Sequence, residues 1–140
     1  MVENPGRRVT PINWNLYDEM CQQLAVIIHD TFPDIEYVYG IPRGGLPLAV
    51  RISHLLGLKL IIRKNLIKPK YTIIVDDISD TGSTLLNFCN SSACKTATLF
   101  IRVDSKFSPD ITLSLVTDEW IEFPYETKVK WVEQRCKKKA

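Results

Sequence analysis

The chain has 140 residues, of which 45% are hydrophobic and 24% charged, as expected for one ordinary globular domain spanning 1–140. Its net charge is +2, and four of the 18 basic residues lie in the last six positions, so the body of the protein offers no surface for nucleic acid. No apolar run approaches the roughly 20 residues of a membrane span, and no apolar signal core follows Met1, so we expect a cytoplasmic protein with no membrane partner.

Residues 1–12 show no regular pattern, and the first predicted element is a helix over Asn13–Thr31. Apolar residues recur there at helical spacing, and Asn13 or Asn15 can serve as its N-cap. The residues assigned to the buried face of this helix are Leu16, Met20, Leu24, Ile27 and Ile28.

A strand over Tyr37–Ile41 follows, and it leads into the loop Pro42-Arg43-Gly44-Gly45. The two glycines let backbone amides approach an oxyanion and Arg43 adds positive charge, so this loop can hold a diphosphate. A helix over Leu46–Leu56 comes next.

Only residues 64–70 separate the next predicted strand, Leu58–Arg63, from the one that begins by Tyr71. A connection this short favours a tight hairpin. Its lysines either screen a diphosphate from the rim of a site or belong to an ordinary solvated turn; they are Lys64, Lys68 and Lys70.

The stretch richest in chemical groups is Tyr71–Leu85, YTIIVDDISDTGSTL. Thr72–Val75 suits a strand buried on both faces, and Asp76 and Asp77 follow at its carboxyl end, where open α/β sheets bind ligands. Adjacent carboxylates accept hydrogen bonds from vicinal ribose hydroxyls and can hold Mg²⁺. The small-residue loop Asp80–Thr84 leads into a helix and offers backbone N–H groups, a glycine and hydroxyls to a phosphate monoester.

Two more strands are predicted over Thr96–Val103 and Ile111–Val116, which completes the order β-α-β-β-α-β-β of an open, mainly parallel sheet. The last segment with distinctive chemistry is Trp120–Tyr125, WIEFPY. Its aromatic residues either stack on a planar ligand or belong to the core.

The segment V-D-D-I-S-D-T-G-S-T resembles the phosphoribosyl pyrophosphate (PRPP) signature of the type I phosphoribosyltransferases. The alternative is an ordinary strand-to-helix turn with an aspartate N-cap, whereas a P-loop NTPase is excluded because the chain has no G-x-x-x-x-G-K-[ST] motif. P-R-G-G resembles the family's pyrophosphate loop, which often has a cis peptide before its basic residue, so a cis Pro42–Arg43 bond is a hypothesis. The resemblance implies an α/β fold with an open, mainly parallel twisted sheet, flanking helices and a minimal C-terminal hood.

The resemblance also implies a role for each candidate residue. Asp80 would accept the proton of the attacking base, Asp76 and Asp77 would bind the ribose hydroxyls, and Asp77 would also bind the metal, Mg²⁺. The phosphate-binding residues would be Ser79, Thr81, Gly82, Ser83 and Thr84, and the pyrophosphate-binding residues Arg43, Gly44 and Gly45. In relatives that use 6-oxopurines, an aromatic hood and a lysine contact the base. The corresponding residues here are Trp120, Ile121 and Arg102, with Lys106 as a second candidate for the lysine.

The implied reaction is transfer of the 5-phosphoribosyl group of PRPP to a 6-oxopurine base, as in the xanthine-guanine and hypoxanthine-guanine enzymes, giving a nucleoside monophosphate and pyrophosphate. Relatives are commonly homo-oligomers, and the sequence leaves that state open. The flexible segment that covers PRPP in active relatives is reduced here to residues 64–70, which predicts weak transfer. Two other interpretations therefore stay open: a non-catalytic sensor of PRPP or nucleotide, and a scaffold that keeps only the fold.

Overall fold

The computed structural model describes residues 6–89 and 94–137 and is organised around a sheet of five strands. The strands of the described chain, in the main sheet and outside it, are β1 (Val9–Pro11), β2 (Tyr37–Gly40), β3 (Lys59–Ile61), β4 (Thr72–Ser79), β5 (Lys95–Arg102), β6 (Ile111–Val116) and β7 (Trp120–Glu122). Its α-helices are α1 (Trp14–Thr31), α2 (Gly45–Leu56), α3 (Ser83–Cys89) and α4 (Lys130–Cys136), and short 3₁₀ helices lie at Lys64–Leu66 and Pro124–Glu126. The strands of the main sheet follow the order β3-β2-β4-β5-β6, and every neighbouring pair is parallel. The predicted open, parallel α/β fold is confirmed.

Helix α1 covers one face of the sheet. Asn13 caps it as predicted, because its side-chain oxygen accepts a hydrogen bond from the Leu16 amide at 2.8 Å. The predicted buried face is only partly right, since Leu16 and Ile27 are 42% and 38% exposed. The residues that the helix buries are Tyr17, Met20, Cys21, Leu24, Ala25 and Ile28. The buried face of the helix includes Tyr17, because the Tyr17 ring packs edge-on against Phe123. Helical spacing alone does not reveal that contact.

Two hydrophobic clusters lie on opposite faces of the main sheet. The larger one, beneath α1 and α2, takes Val38 from β2 and Ile73 from β4. The smaller one takes the next residue of each strand, Tyr39 and Ile74, and is covered by α3 through Leu85. Both faces of β2 and β4 are therefore buried, as parallel strands with elements on both sides require.

The segment 62–71 joins β3 to β4 and does not form the predicted hairpin. Both strands pair with β2 in parallel, on either side of it, so the segment has to cross β2. It crosses on the side of the smaller cluster, where Ile67 packs and the Lys68 ammonium lies 5.2 Å from the centre of the Tyr37 ring. The hairpin prediction is wrong because a short connection need not join antiparallel strands.

Residues 1–12, predicted to be irregular, include the strand β1. It pairs in parallel with β7 in a separate two-stranded sheet. The Thr10 hydroxyl reinforces the pair by donating to the Glu119 carboxylate at 2.7 Å, across 109 positions of sequence. A strand of three residues with so distant a partner has no local pattern by which to predict it. None of the helices within 6–89 and 94–137 has the length and apolar character needed to cross a membrane.

Candidate active site

The main sheet has a switch point between β2 and β4, where the chain moves outward to β3 and then returns past β2. Open α/β proteins bind ligands at such points, outside the carboxyl ends of the strands. The strand β2 stops at Gly40, opposite Val75, whereas β4 continues through Asp76 and Asp77 to Ser79. The predicted end of β4 at Val75 is therefore wrong, because β5 stays paired with it as far as Ser79. The two aspartates project beyond β2 into the crevice.

A half-open cavity of about 70 Å³ lies at the loop after β4, which leaves room for a small anion. The predicted site residues that line it are Asp76, Ser79, Asp80, Thr81, Gly82 and Thr84. Ser83 is not among them, because it begins α3 and its amide donates to the Thr81 hydroxyl at 3.2 Å. The structure thus gathers most of the predicted phosphate-binding residues around one cavity.

The predicted phosphate loop, residues 79–84, packs against residues 105–107, which form a brace for it. Gly82 has a φ of 87°, and a Cβ there would overlap the Phe107 backbone nitrogen, so both conformation and space require glycine. The Lys106 amide donates to the Thr81 carbonyl oxygen at 2.7 Å. Ser79 is buried, and its hydroxyl lies 2.9 Å from that of Ser105, which directs it into the brace. A direct bond from Ser79 to phosphate remains a prediction.

Asp76 and Asp77 lie side by side in the crevice. The Asp77 amide donates to Asp76 Oδ1 at 2.9 Å, and the Ile78 amide donates to Asp77 Oδ1 at 2.8 Å. Burial raises the pKa of Asp76, and the neighbouring charge of Asp77 raises it further. Neither carboxylate forms an ion pair with a residue of 6–89 or 94–137. Adjacent carboxylates that lack a compensating charge suit Mg²⁺, which binds one or two carboxylates together with substrate oxygens.

The predicted pyrophosphate loop, residues 42–45, lies against these aspartates. Its Pro42–Arg43 peptide bond is cis, as hypothesised. A Cβ at Gly44 would overlap the Asp77 carboxylate, and one at Gly45 would overlap the Val75 carbonyl oxygen, so the loop can approach β4 only with glycine at both positions. Arg43 is exposed and available to a ligand. The two motifs, which a helix and a strand separate in the sequence, are in direct contact.

Tyr125 completes this contact, and sequence reasoning missed it. Its hydroxyl donates to Asp77 Oδ2 at 2.6 Å and lies 3.4 Å from the Gly44 carbonyl oxygen. Burial raises the pKa of Tyr125, and so does the nearby charge of Asp77, so the hydroxyl keeps its proton and acts as a donor. Its only signal in the sequence is its place in the aromatic segment Trp120–Tyr125.

Arg102, predicted to contact the base, is buried and connects Asp80 to the segment before β7. It is 4% exposed, and its Nε donates to Asp80 Oδ1 at 2.7 Å. Its Nη1 donates to the carbonyl oxygens of Thr117 and Glu119, at 3.1 and 2.9 Å. Only Nη2 has no hydrogen bond to the part of the chain that the structure describes, so a contact with the base, still a prediction, falls to that nitrogen.

Trp120 and Ile121 are neighbours on β7 and therefore face opposite sides of it. Ile121 is 6% exposed and belongs to the larger hydrophobic cluster, whereas Trp120 is half-buried. The Trp120 amide donates to the Arg8 carbonyl oxygen at 2.8 Å, so residues next to β1 support it. Trp120 is the better placed of the two to meet a ligand, and base binding by either residue remains a prediction.

Solved structures identify the family to which this arrangement belongs. A purine phosphoribosyltransferase from Pyrococcus horikoshii Ot3 is 30% identical in sequence and superposes with a TM-score of 0.70, covering 86% of this chain and 95% of that one. The chain belongs to the type I phosphoribosyltransferase family. The resemblance drawn from the signature segment is confirmed.

Two more distant structures share this fold. The xanthine-guanine-hypoxanthine phosphoribosyltransferase of Helicobacter pylori is 20% identical, with a TM-score of 0.72 over 91% of this chain and 99% of that one. A hypothetical protein from Neisseria gonorrhoeae with bound ppGpp is 16% identical, with a TM-score of 0.69 over 92% of this chain and 95% of that one. No protein-family model matches the chain, and no curated protein matches it in sequence.

Proposed function

We propose that this phosphoribosyltransferase transfers the 5-phosphoribosyl group of PRPP to a 6-oxopurine, giving a purine nucleoside monophosphate and pyrophosphate. One observation carries the proposal: the cavity at the loop after β4, the Asp76–Asp77 pair and the loop 42–45 adjoin in a single crevice. These three features match, in order, the 5′-phosphate, the ribose and the pyrophosphate of PRPP. The Pyrococcus relative, a purine phosphoribosyltransferase, supports a purine as the acceptor.

In the proposed reaction, a ring nitrogen of the purine attacks the anomeric carbon of PRPP. The carbon–nitrogen bond forms as the carbon–oxygen bond to pyrophosphate breaks, and the electron pair of the broken bond leaves with pyrophosphate. Asp80 accepts the proton of the ring nitrogen. Arg102 holds Asp80 Oδ1 at 2.7 Å, which orients the carboxylate and leaves Oδ2 for the proton.

The loop 42–45 meets the charge of the leaving group. The Arg43 side chain and the backbone amides of Arg43 and Gly44 bind the departing pyrophosphate as its negative charge develops, whereas the Gly45 amide donates to the Ile41 carbonyl oxygen at 2.8 Å. Asp76 and Asp77 would hold Mg²⁺, whose positive charge would offset the negative charge of the diphosphate. The adjacency of the two carboxylates supports this assignment, since neither forms an ion pair with a residue of 6–89 or 94–137.

Arg102 favours a 6-oxopurine over an aminopurine, and Trp120 adds stacking that any base can accept. Arg102 Nη2 is a donor, and an oxygen on the purine ring accepts from it, whereas an exocyclic amino group would leave both unpaired. Trp120 offers a stacking surface, which is worth about 1–3 kcal/mol per base. The Helicobacter enzyme, which shares the fold, is named for xanthine, guanine and hypoxanthine, all of which carry this oxygen.

The test is a pyrophosphate-release assay with PRPP and Mg²⁺ that compares guanine, hypoxanthine and xanthine with adenine, uracil and no base. We expect release, with nucleotide formed, for at least one 6-oxopurine and none for adenine. Asp80→Asn should reduce the rate strongly. Asp18→Asn is its control, because Asp18 also accepts from an arginine Nε but lies on the exposed side of α1. Unchanged transfer by Asp80→Asn would remove Asp80 from the mechanism.

A non-catalytic PRPP or nucleotide sensor is the second candidate, and the segment 62–71 favours it. Ile67 packs against the smaller cluster, and the Lys68 ammonium lies over the Tyr37 ring, so these contacts hold the segment against the sheet where it crosses β2. A longer segment at this place covers PRPP in active relatives, as the resemblance implies. Magnesium-dependent PRPP binding with no product from any base would establish the sensor. Release without any base would instead mean that water attacks PRPP in an uncovered site.

A further inference from the structure

We infer that Tyr125 is a positioning residue that holds the Asp77 carboxylate ready for Mg²⁺ and PRPP, an inference that rests on the proposed function. The Tyr125 hydroxyl donates to Asp77 Oδ2 at 2.6 Å, and the Ile78 amide donates to Oδ1 at 2.8 Å. Each carboxylate oxygen thus has one fixed donor, which sets the orientation of the carboxylate. A further lone pair on each oxygen remains for a ligand.

The same hydroxyl also reaches the pyrophosphate loop. It lies 3.4 Å from the Gly44 carbonyl oxygen, and a Cβ at Gly44 would overlap the Asp77 carboxylate. Asp77 is therefore confined between the backbone of the loop and the tip of Tyr125. A shift of Tyr125 would release both the acid that binds ribose and metal and the loop that receives pyrophosphate.

The ring of Tyr125 is rigid enough to act as a support. It stacks on Phe123 with a centroid distance of 5.6 Å and an interplanar angle of 1°. The Tyr17 ring meets it edge-on at 5.8 Å, and the Trp14 ring lies 6.3 Å away. These contacts involve the rings and not the hydroxyl. Tyr125→Phe therefore keeps the packing and removes the bond to Asp77 together with the longer contact to the Gly44 carbonyl oxygen.

Tyr17 provides a matched control in the same aromatic cluster. It is 4% exposed, and the Asp77 carboxylate oxygens accept from Tyr125 and from the Ile78 amide, not from the Tyr17 hydroxyl. Tyr17→Phe therefore removes the same atom from the same cluster without removing a bond to Asp77.

The test is calorimetric titration of PRPP, at several Mg²⁺ concentrations, into the full chain and the two variants. We expect Tyr125→Phe to weaken PRPP binding about tenfold or more, as the loss of a hydrogen bond to a charged group implies. It should also raise the Mg²⁺ concentration required for half-maximal binding, a readout that a merely structural role would not move. Tyr17→Phe should bind as the wild type does. Thermal melting of each variant verifies that it is folded.

The outcomes separate this inference from the proposed function. Unchanged binding by Tyr125→Phe overturns the inference alone, and so does tighter binding, which would mean that the hydroxyl competes with ligands for Asp77. Equal losses in Tyr125→Phe and Tyr17→Phe also overturn it, because aromatic packing would then be responsible. A wild-type chain that binds no PRPP with Mg²⁺ overturns the proposed function, and the inference with it.

Discussion

Arg102 shows how one buried side chain connects two parts of the site. Its Nε donates to Asp80, and its Nη1 donates to the carbonyl oxygens of Thr117 and Glu119. A buried cation is tolerated only when it is paired and hydrogen-bonded in this way. The three bonds require the planar fork of arginine, which the single ammonium group of lysine does not reproduce.

Arg102→Lys is therefore expected to lower the free energy of unfolding by about 1–3 kcal/mol, since the two carbonyl oxygens that accept from Arg102 Nη1 would lose their charged donor. It should also weaken the binding of guanosine monophosphate, because the segment that leads into Trp120 loses its anchor. Denaturant unfolding measures the first effect, and calorimetric titration with the nucleotide measures the second.

The control for this substitution is Arg51→Lys. Arg51 also pairs with an aspartate, Asp18, but the two side chains are 40% and 42% exposed, and exposed pairs contribute about 1 kcal/mol or less. Equal losses of stability in Arg51→Lys and Arg102→Lys would contradict the anchoring role given to Arg102.

Among the elements, those with a local pattern could be predicted and those that depend on distant partners could not. Helix α1 was predictable because its apolar residues repeat along the chain and Asn13 can cap it. Strand β1 was not, because it exists only through its pairing with β7. The hairpin prediction for residues 62–71 was wrong because no local pattern indicates that β3 and β4 lie on either side of β2.

The same distinction applies to the candidate site. The residues from Asp76 to Thr84 could be predicted because they are consecutive and their chemical types suit one ligand. The brace formed by Ser105 and Phe107, and the bond from Tyr125 to Asp77, could not be. These contacts join segments far apart in sequence, and no residue in them has an unusual local pattern.

At the scale of the phosphate loop, we expect Gly82→Ala to destabilise the protein more than Gly57→Ala does. Both glycines have positive φ values, 87° and 66°, so alanine carries a conformational cost of about 1–2 kcal/mol at each. At Gly57 nothing lies within 4 Å of an added Cβ, whereas at Gly82 the Cβ would overlap the Phe107 nitrogen. The additional cost at Gly82 should be about 1–3 kcal/mol, the usual range for overpacking.

The two glycine variants should also differ in ligand binding. Gly82→Ala pushes the brace away from the cavity and is expected to weaken the binding of ribose 5-phosphate, while Gly57→Ala leaves it unchanged. Denaturant unfolding and calorimetric titration measure the two effects. Equal behaviour of the two variants would mean that the contact with 105–107 does not shape the phosphate loop.

Across the whole molecule, a segment near the start of the described chain meets the predicted hood, Trp120–Tyr125, and the residue before it. The Trp120 amide is held by the Arg8 carbonyl oxygen, and the Glu119 carboxylate by the Thr10 hydroxyl. The residues assigned to PRPP lie instead between Arg43 and Thr84, around the switch point of the main sheet. The proposed base site and the proposed PRPP site therefore draw on different parts of the chain, and Tyr125, which donates to Asp77, joins them.

We therefore expect deletion of residues 2–11 to weaken the binding of guanosine monophosphate far more than that of PRPP. The deletion removes β1, so β7 loses its partner strand and Trp120 loses its support. Parallel calorimetric titrations with the nucleotide and with PRPP measure the two affinities. The control is a chain that ends after Lys128, since it lacks α4, in which no residue is buried, and it should bind both ligands as the full chain does. Equal losses for the two ligands after deletion of β1 would show that the hood and the PRPP site are stabilised as one unit.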